Sequence, residues 1–240
     1  MANDYFRFKQ FVVHQDQCAM KVCTDSCLFG AYVPAGEATA ILDIGTGTGL
    51  LALMLAQRSR PDVRVEAVEI DPQAARQAAQ NIAASPWADR VRVHPQSLQA
   101  FGPTNTATYD LILSNPPFFE ASLRSPMAAR TLARHTSDLH WEEILAFGEK
   151  FLRPGGCLWI MLPPAESASL VELAQTRGWH LSHRLRVFTR EGEGGKCIRW
   201  VQAFGREPGP FSERAMAIRT AGGDYTEAFV SYLKEYYLAL

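Results

Sequence analysis

The residues with the clearest chemical potential are Ser114-Asn115-Pro116-Pro117-Phe118, directly after the apolar run Tyr109-Asp110-Leu111-Ile112-Leu113. A short apolar run of this kind reads as a buried strand. The two prolines lack N–H donors and have fixed φ, so the strand must stop and hold an amide and an aromatic ring in set positions. The Asn115 side-chain oxygen and the Pro116 carbonyl can both accept hydrogen bonds from an exocyclic amino group, while the Phe118 ring covers the face of a base. An amine held this way presents its lone pair to an electrophile. By itself the stretch also reads as a rigid turn after a strand.

Its partner lies upstream in Asp43-Ile44-Gly45-Thr46-Gly47-Thr48-Gly49, between the strand pattern Ala40–Ile44 and the apolar helix pattern 50–57. The glycines alternate without the wide final gap of the dinucleotide fingerprint, which argues against a pyrophosphate cradle and an NAD-dependent oxidoreductase. They remove Cβ atoms so that a ligand can lie against the backbone, and Asp43 offers a carboxylate to a cationic group. S-adenosylmethionine, carrying ammonium and sulfonium charges, fits Asp43, Gly45, Thr46, Gly47 and Gly49. Glu69 ends the next strand about twenty residues on, where a carboxylate can accept from ribose hydroxyls. Ser97 and Leu98 follow the third strand, where adenine would be read.

These positions need elements to hold them. Strands are expected at Ala40–Ile44, Val65–Glu69, Val91–Val93, Tyr109–Leu113 and Cys157–Leu162, alternating with helices from Leu50, from Asp71-Pro72 through about Ala84, and from about Trp141. The last of these helices should stop at Arg153-Pro154-Gly155-Gly156. A further helix spans Ser167 or Ala168 to Arg177, and two strands, 185–188 and 197–204, should pair antiparallel. The tail, 224–240, has helical spacing. At the N-terminus Phe11–Val13 should pair with Met20–Val22 across His14–Gln17, ahead of a short helix capped by Thr24 or Asp25. The fold expected is α/β, a doubly wound, mostly parallel sheet with a C-terminal antiparallel hairpin. Residues 1–36 would form a hairpin and lid helix on the cofactor side, and 37–240 one globular unit. In such sheets ligands bind beyond the carboxyl ends of the strands near the switch point, so Gly45–Gly49, Glu69, Ser97 and Asn115 converge on one cleft.

Composition sets the remaining bounds. Across 240 residues, 24 Lys+Arg against 25 Asp+Glu give a net charge of −1, so any contact with nucleic acid must be a local patch. Cys18, Cys23, Cys27, Cys157 and Cys197 form no C-x-x-C pair and match no zinc-finger spacing, which points to reduced thiols and no metal. No apolar run approaches the roughly 18 residues of a membrane span. A cytoplasmic monomer without membrane contact is the expectation.

The glycine loop, Glu69 and Asn115–Phe118 together resemble the class I S-adenosylmethionine-dependent N-methyltransferases. Phe8-x-x-Phe11-x-Val13 and Met20-Lys21-Val22-x-Thr24-Asp25 resemble the bacterial tRNA(Val) adenine N6-methyltransferases. The resemblance implies transfer of a methyl group from S-adenosylmethionine, leaving S-adenosylhomocysteine, to the N6 amine of the adenosine beside the anticodon. It implies Asn115, Pro116, Pro117 and Phe118 around the target base, Lys21 and Thr24 on the cofactor side, and a tRNA partner. Ser97 stands where relatives of this kind often carry an Asp. Arg124, Arg130, Arg134 and His135 follow the Asn-Pro-Pro-Phe stretch, where a phosphate backbone could run, or form an ion-paired face. Arg184, Arg186, Arg190, Lys196 and Arg199 form a second candidate patch. Alternatives are an rRNA amino group, a protein glutamine amide, or a non-catalytic protein that binds the cofactor and RNA.

Overall fold

Five apolar runs, each bounded by turn residues, build the centre of a large sheet in a computed structural model that describes residues 3–116 and 140–240. In chain order the strands are β1 (Tyr5–Arg7), β2 (Val12–His14), β3 (Ala40–Ile44), β4 (Arg64–Glu69), β5 (Val91–Pro95) and β6 (Tyr109–Ser114), then β7 (Leu152–Leu162), β8 (His180–Arg190), β9 (Cys197–Gly205) and β10 (Ser212–Arg219). The described helices are α1 (Thr24–Tyr32), α2 (Leu50–Arg58), α3 (Pro72–Ala83), α4 (Leu98–Thr104), α5 (Trp141–Phe151), α6 (Pro164–Thr176) and α7 (Glu227–Leu233).

The eight-stranded sheet has the order β10-β8-β9-β7-β6-β3-β4-β5. From β5 through β7 every pairing is parallel, whereas β9 runs antiparallel to both β7 and β8. The doubly wound sheet and its C-terminal hairpin match the sequence expectation. Strand order reverses at β3, whose neighbours are β4 and β6, so the crevice opens at the carboxyl ends of these three strands.

Helices cover both faces because the strand residues alternate between two apolar clusters. Ile41, Val65, Leu111, Leu113 and Met161 face α1, α2 and α7. Leu42, Ile44, Ile112, Leu158 and Ile160 face α4, α5 and α6. Each fully buried Leu or Ile contributes about 1.5–3 kcal/mol, so the two clusters are the main source of stability. The approach of α1 to α2 depends on Gly30, where a Cβ would sit 2.7 Å from the Met54 sulfur.

The structure corrects several expectations. The N-terminal hairpin pairs Tyr5–Arg7 with Val12–His14, with the Phe8 N–H donating to the Phe11 carbonyl in the turn; Met20–Val22 is not a strand. This register buries Phe8, Phe11 and Val13 together, which pairing with the exposed Met20 would not. Cys23, rather than Thr24 or Asp25, occupies the N-cap position of α1. Between α5 and the core of β7 the chain does not break at Pro154-Gly155-Gly156. It continues as strand, with an irregularity between Tyr109 and Leu111 on β6 and a positive φ at Gly155 taking up the kink. The α6 helix starts three residues early because Pro164 sits in its first turn, where no N–H is needed. Neither α4 nor β10 was expected; β10 joins the edge parallel to β8.

The N-terminal segment is tied to the body by buried amides of α3. Asn81 receives the His14 N–H at 2.9 Å and donates to the carbonyls of His14 and Thr48, each at 2.9 Å. Gln77 receives the Gln17 N–H at 3.0 Å and donates to Asp16 at 2.6 Å. Tyr236, beyond α7, donates to the Met54 carbonyl at 2.9 Å.

Candidate functional site

At the end of β3 the chain turns through Gly45, Gly47 and Gly49, with φ of 72°, 56° and 83°. Side chains other than glycine rarely adopt such angles. A Cβ on Gly47 would meet nothing within 4 Å, so this glycine borders open space, whereas one on Gly49 would lie in ordinary contact with Ala78 of α3 at 3.4 Å. The loop is held from the β4 side. Gly45 N–H and Thr46 N–H donate to the Val68 carbonyl at 2.9 and 3.1 Å, and Gly47 N–H donates to Glu69 Oε2 at 2.8 Å.

Glu69 is buried and accepts at its other oxygen from Asp71 N–H at 2.9 Å. Burial raises its pKa, while the Asp71 and Gly47 amides act in the opposite direction. Each carboxylate oxygen keeps lone-pair capacity for a ligand hydroxyl. Asp71 caps α3 through the Gln73 N–H at 2.8 Å, with Pro72 in the first turn, as its sequence position suggests.

Asp43 is fully buried; its Oδ2 accepts from the Thr46 hydroxyl at 2.6 Å and its Oδ1 has no hydrogen-bond partner. Burial lifts its pKa to about 7, against the pull of the Thr46 hydroxyl and the Ala52 backbone. A buried carboxylate with a free oxygen is costly alone and favours a neighbouring cation. Beside it, Ile44, Gly45, Val68, Ile70, Gln96, Ser97, Leu98 and Gln99 line a small cleft. Ile70 is 48% exposed, an apolar side chain with nothing to cover it between two acids. The sequence reading passed over it; the only signal was its place in Glu69-Ile70-Asp71. Ser97 is the N-cap of α4 and accepts from Ala100 N–H at 3.2 Å, while Leu98 is buried in the α4–α5 cluster. Ser97 therefore lines the cleft with its oxygen already engaged.

Asn115 follows β6, and the preceding Ser114 donates through its hydroxyl to the Ile44 carbonyl at 2.8 Å, which locks the end of β6 to the end of β3. The Asn115 Nδ2 donates to Ser26 Oγ of α1 at 2.9 Å. Its Oδ1 is buried and has no partner among the described residues, and Pro116 is buried beside it. Pro117, Phe118, Arg124, Arg130, Arg134 and His135 lie outside the described residues. Lys21 is exposed and donates through Nζ to the Gln15 carbonyl, and Thr24 is the first residue of α1. The Cys18 thiol is pushed up to about 11, first by burial and then by the charges of Glu69 and Asp71, with Lys21 acting the other way. The loop bearing Cys18 and Lys21 thus lies within electrostatic reach of the β4 end.

Among the arginines of the second patch, Arg184 and Arg186 pair with Glu213 at 3.0 and 3.2 Å, and Arg199 pairs with Asp25 at 2.7 Å. A larger cavity of about 800 Å³ lies at the opposite, amino ends of β3–β6, lined by Thr39, Arg64, Glu66, Arg90, Arg92 and Arg153 among others. The glycine loop, Glu69 and Asn115 all sit at the other, carboxyl ends of these strands. No group of three or more His, Cys, Asp or Glu able to hold a metal occurs among the described residues. None of the described helices is long and apolar enough to cross a membrane.

The arrangement has the parts a cationic nucleoside-type ligand and an amine would need: a glycine cradle, a free buried carboxylate oxygen, an acid for hydroxyls and an orphaned amide acceptor. Residues 18–173 match the sequence profile of the methyltransferase small domain. The chain is 42% identical to the tRNA1(Val) (adenine(37)-N6)-methyltransferase of Tolumonas auensis over 240 residues, 100% of this chain and 99% of that one. It is also 42% identical over 238 residues to the protein of the same name in Pectobacterium carotovorum, covering 99% of this chain and 95% of the other. Among solved structures, a protein from Agrobacterium tumefaciens described as a predicted O-methyltransferase superposes with TM-score 0.64 at 16% identity, over 88% of this chain and 95% of that one. The O-methyltransferase from Bacillus cereus in complex with SAH gives TM-score 0.55 at 18% identity, over 79% and 84% of the two chains. These two share the fold.

Proposed function

Because the chain belongs to the methyltransferase small domain family, and within it to the tRNA1(Val) (adenine(37)-N6)-methyltransferases, we propose that it methylates the N6 amine of adenine 37 in tRNA1(Val). S-adenosylmethionine supplies an electrophilic methyl group on a sulfonium. The observation that supports the reading at this site is the buried Oδ1 of Asn115, without a partner among the described residues and held near the glycine loop by the Ser114–Ile44 bond.

Gly45, Gly47 and Gly49 would leave room for the cofactor against the backbone, Asp43 would offset its positive charge, Glu69 would accept from its ribose hydroxyls, and Ile70 and Leu98 would flank its adenine. Lys21 and Thr24 border the same end through the N-terminal loop. Asn115 Oδ1 and the Pro116 carbonyl would accept hydrogen bonds from the two N6 hydrogens, and Phe118, following Pro117, would stack on the base. The N6 lone pair is conjugated and weakly nucleophilic, so orientation and close approach to the methyl carry most of the acceleration. Bound there, S-adenosylmethionine would supply the methyl group to that nitrogen and leave as the neutral thioether, and the nitrogen would give up a proton to water. The target adenosine must leave its stack to enter. Arg124, Arg130, Arg134 and His135 would meet the tRNA backbone. The enzyme would work in the cytoplasm, as a monomer and without metal.

The test is methyl transfer from labelled S-adenosylmethionine to an unmodified tRNA1(Val) transcript and to one with guanosine at position 37. Label in the first and not in the second supports the reading. Label in both, or only in rRNA or protein, contradicts it.

A further inference from the structure

Asn115 can serve the proposed reaction only if its amide oxygen, and not its NH₂ group, faces the target amine. Two NH₂ groups facing each other would have donors and no acceptor. Ser26, whose Oγ lies 2.9 Å from Asn115 Nδ2, does not decide this alone, because a hydroxyl donates or accepts equally well.

The direction is set further along α1. Ser26 Oγ lies 3.0 Å from Cys23 Sγ, and the Asp25 carboxylate is near enough to act on the Cys23 thiol. Burial and the Asp25 charge push the Cys23 thiol up to about 11, so it holds its proton at neutral pH. Asp25 is paired with Arg199 of β9 at 2.7 Å and takes the Ser26 N–H at 3.1 Å. A carboxylate only accepts, so the chain has one end of fixed polarity. With the acceptor-only Asp25 drawing the thiol proton to its side, the Ser26 proton goes to the thiol sulfur and Ser26 Oγ accepts from Asn115 Nδ2. Asn115 Oδ1 then faces away from α1, matching its lack of a partner among the described residues.

We propose that Ser26, aligned by Cys23 and Asp25, is a positioning residue that fixes the Asn115 amide with Oδ1 toward the target amine. This rests on the function proposed above. It gives α1 a role in the chemistry across 89 residues of sequence, with Arg199 anchoring the relay from the terminal hairpin.

The test combines kinetics with a readout that needs no turnover. Ser26→Ala in the full-length protein should lower kcat on unmodified tRNA about 10- to 100-fold, with the S-adenosylmethionine Kd and the tRNA KM within about twofold of wild type. Ser26→Thr, which keeps the hydroxyl, should recover most of kcat, and Cys23→Ser should exceed Cys23→Ala. In ¹⁵N spectra the Asn115 side-chain NH₂ signal, identified by its loss in Asn115→Asp, should shift and exchange faster with water in Ser26→Ala. An unmoved signal with kcat within about twofold of wild type overturns the proposal. Equal losses in kcat and cofactor affinity, without rescue by threonine, reduce Ser26 to a packing role and overturn it too. A wild-type protein that leaves tRNA unmethylated refutes the substrate reading, while the Asn115 signal still decides the relay.

Discussion

Replacing Asp43 by Asn should make the cofactor-free protein more stable relative to wild type as pH rises. Asp43 is fully buried with Oδ1 unpartnered, and burial moves its pKa from 3.8 to about 7. That is roughly 3 units at about 1.4 kcal/mol each, so about 4 kcal/mol is at stake. The folded state binds the proton more tightly than the unfolded chain. Its contribution is therefore complete below about pH 4 and is lost as pH rises through about 7. Asn carries no charge at any pH, and its oxygen can still accept the Thr46 hydroxyl. Urea unfolding of both proteins from pH 4.5 to 8 should show the stability difference moving by several kcal/mol in favour of the variant, flattening above pH 7. A pH-independent difference would refute the reasoning. In the same terms, cofactor affinity of the wild type should increase up to about tenfold per unit as pH rises toward 7, since a cation favours the ionised carboxylate. Asp43→Asn should abolish that dependence.

Glu69→Ala should weaken S-adenosylmethionine binding about 10- to 100-fold by calorimetry while kcat at saturating cofactor changes less than about threefold; an unchanged Kd sinks the ribose role. Gly47→Ala meets no neighbouring atom but must adopt a φ of 56°, so it should cost about 1 kcal/mol of stability yet lower cofactor affinity disproportionately. Gly148→Ala would place a Cβ 2.8 Å from the Trp179 ring, and denaturation should register a loss of about 1–3 kcal/mol with little direct effect on cofactor affinity.

The fold was readable where burial and turn chemistry agree. Tyr109–Leu113 and Cys157–Leu162 are apolar on both faces because helices cover both sides of a parallel sheet, and Asp71-Pro72 announces α3 by its capping chemistry. The reading failed where a single face or an interrupting residue weakens the pattern. In β10 only Met216 and Ile218 are buried, so an edge strand reads as loop. Gly102-Pro103 hides α4, although Ser97 gives it a cap. Around the proposed site, Gly45–Gly49, Glu69 and Asn115 stand out in the sequence because each lies at the end of a strand. Ser26 was not, since its importance lies in a contact 89 residues away that no local spacing encodes.

The central claim is tested most directly by incubating the purified protein and its Asn115→Ala variant with S-adenosylmethionine and unmodified tRNA1(Val), then mapping methylated nucleosides by mass spectrometry. The account predicts N6-methyladenosine in the anticodon-loop fragment carrying position 37 with wild type, and none with the variant although it still binds cofactor. Methylation at another nucleotide, or undiminished N6-methyladenosine with Asn115→Ala, would contradict it.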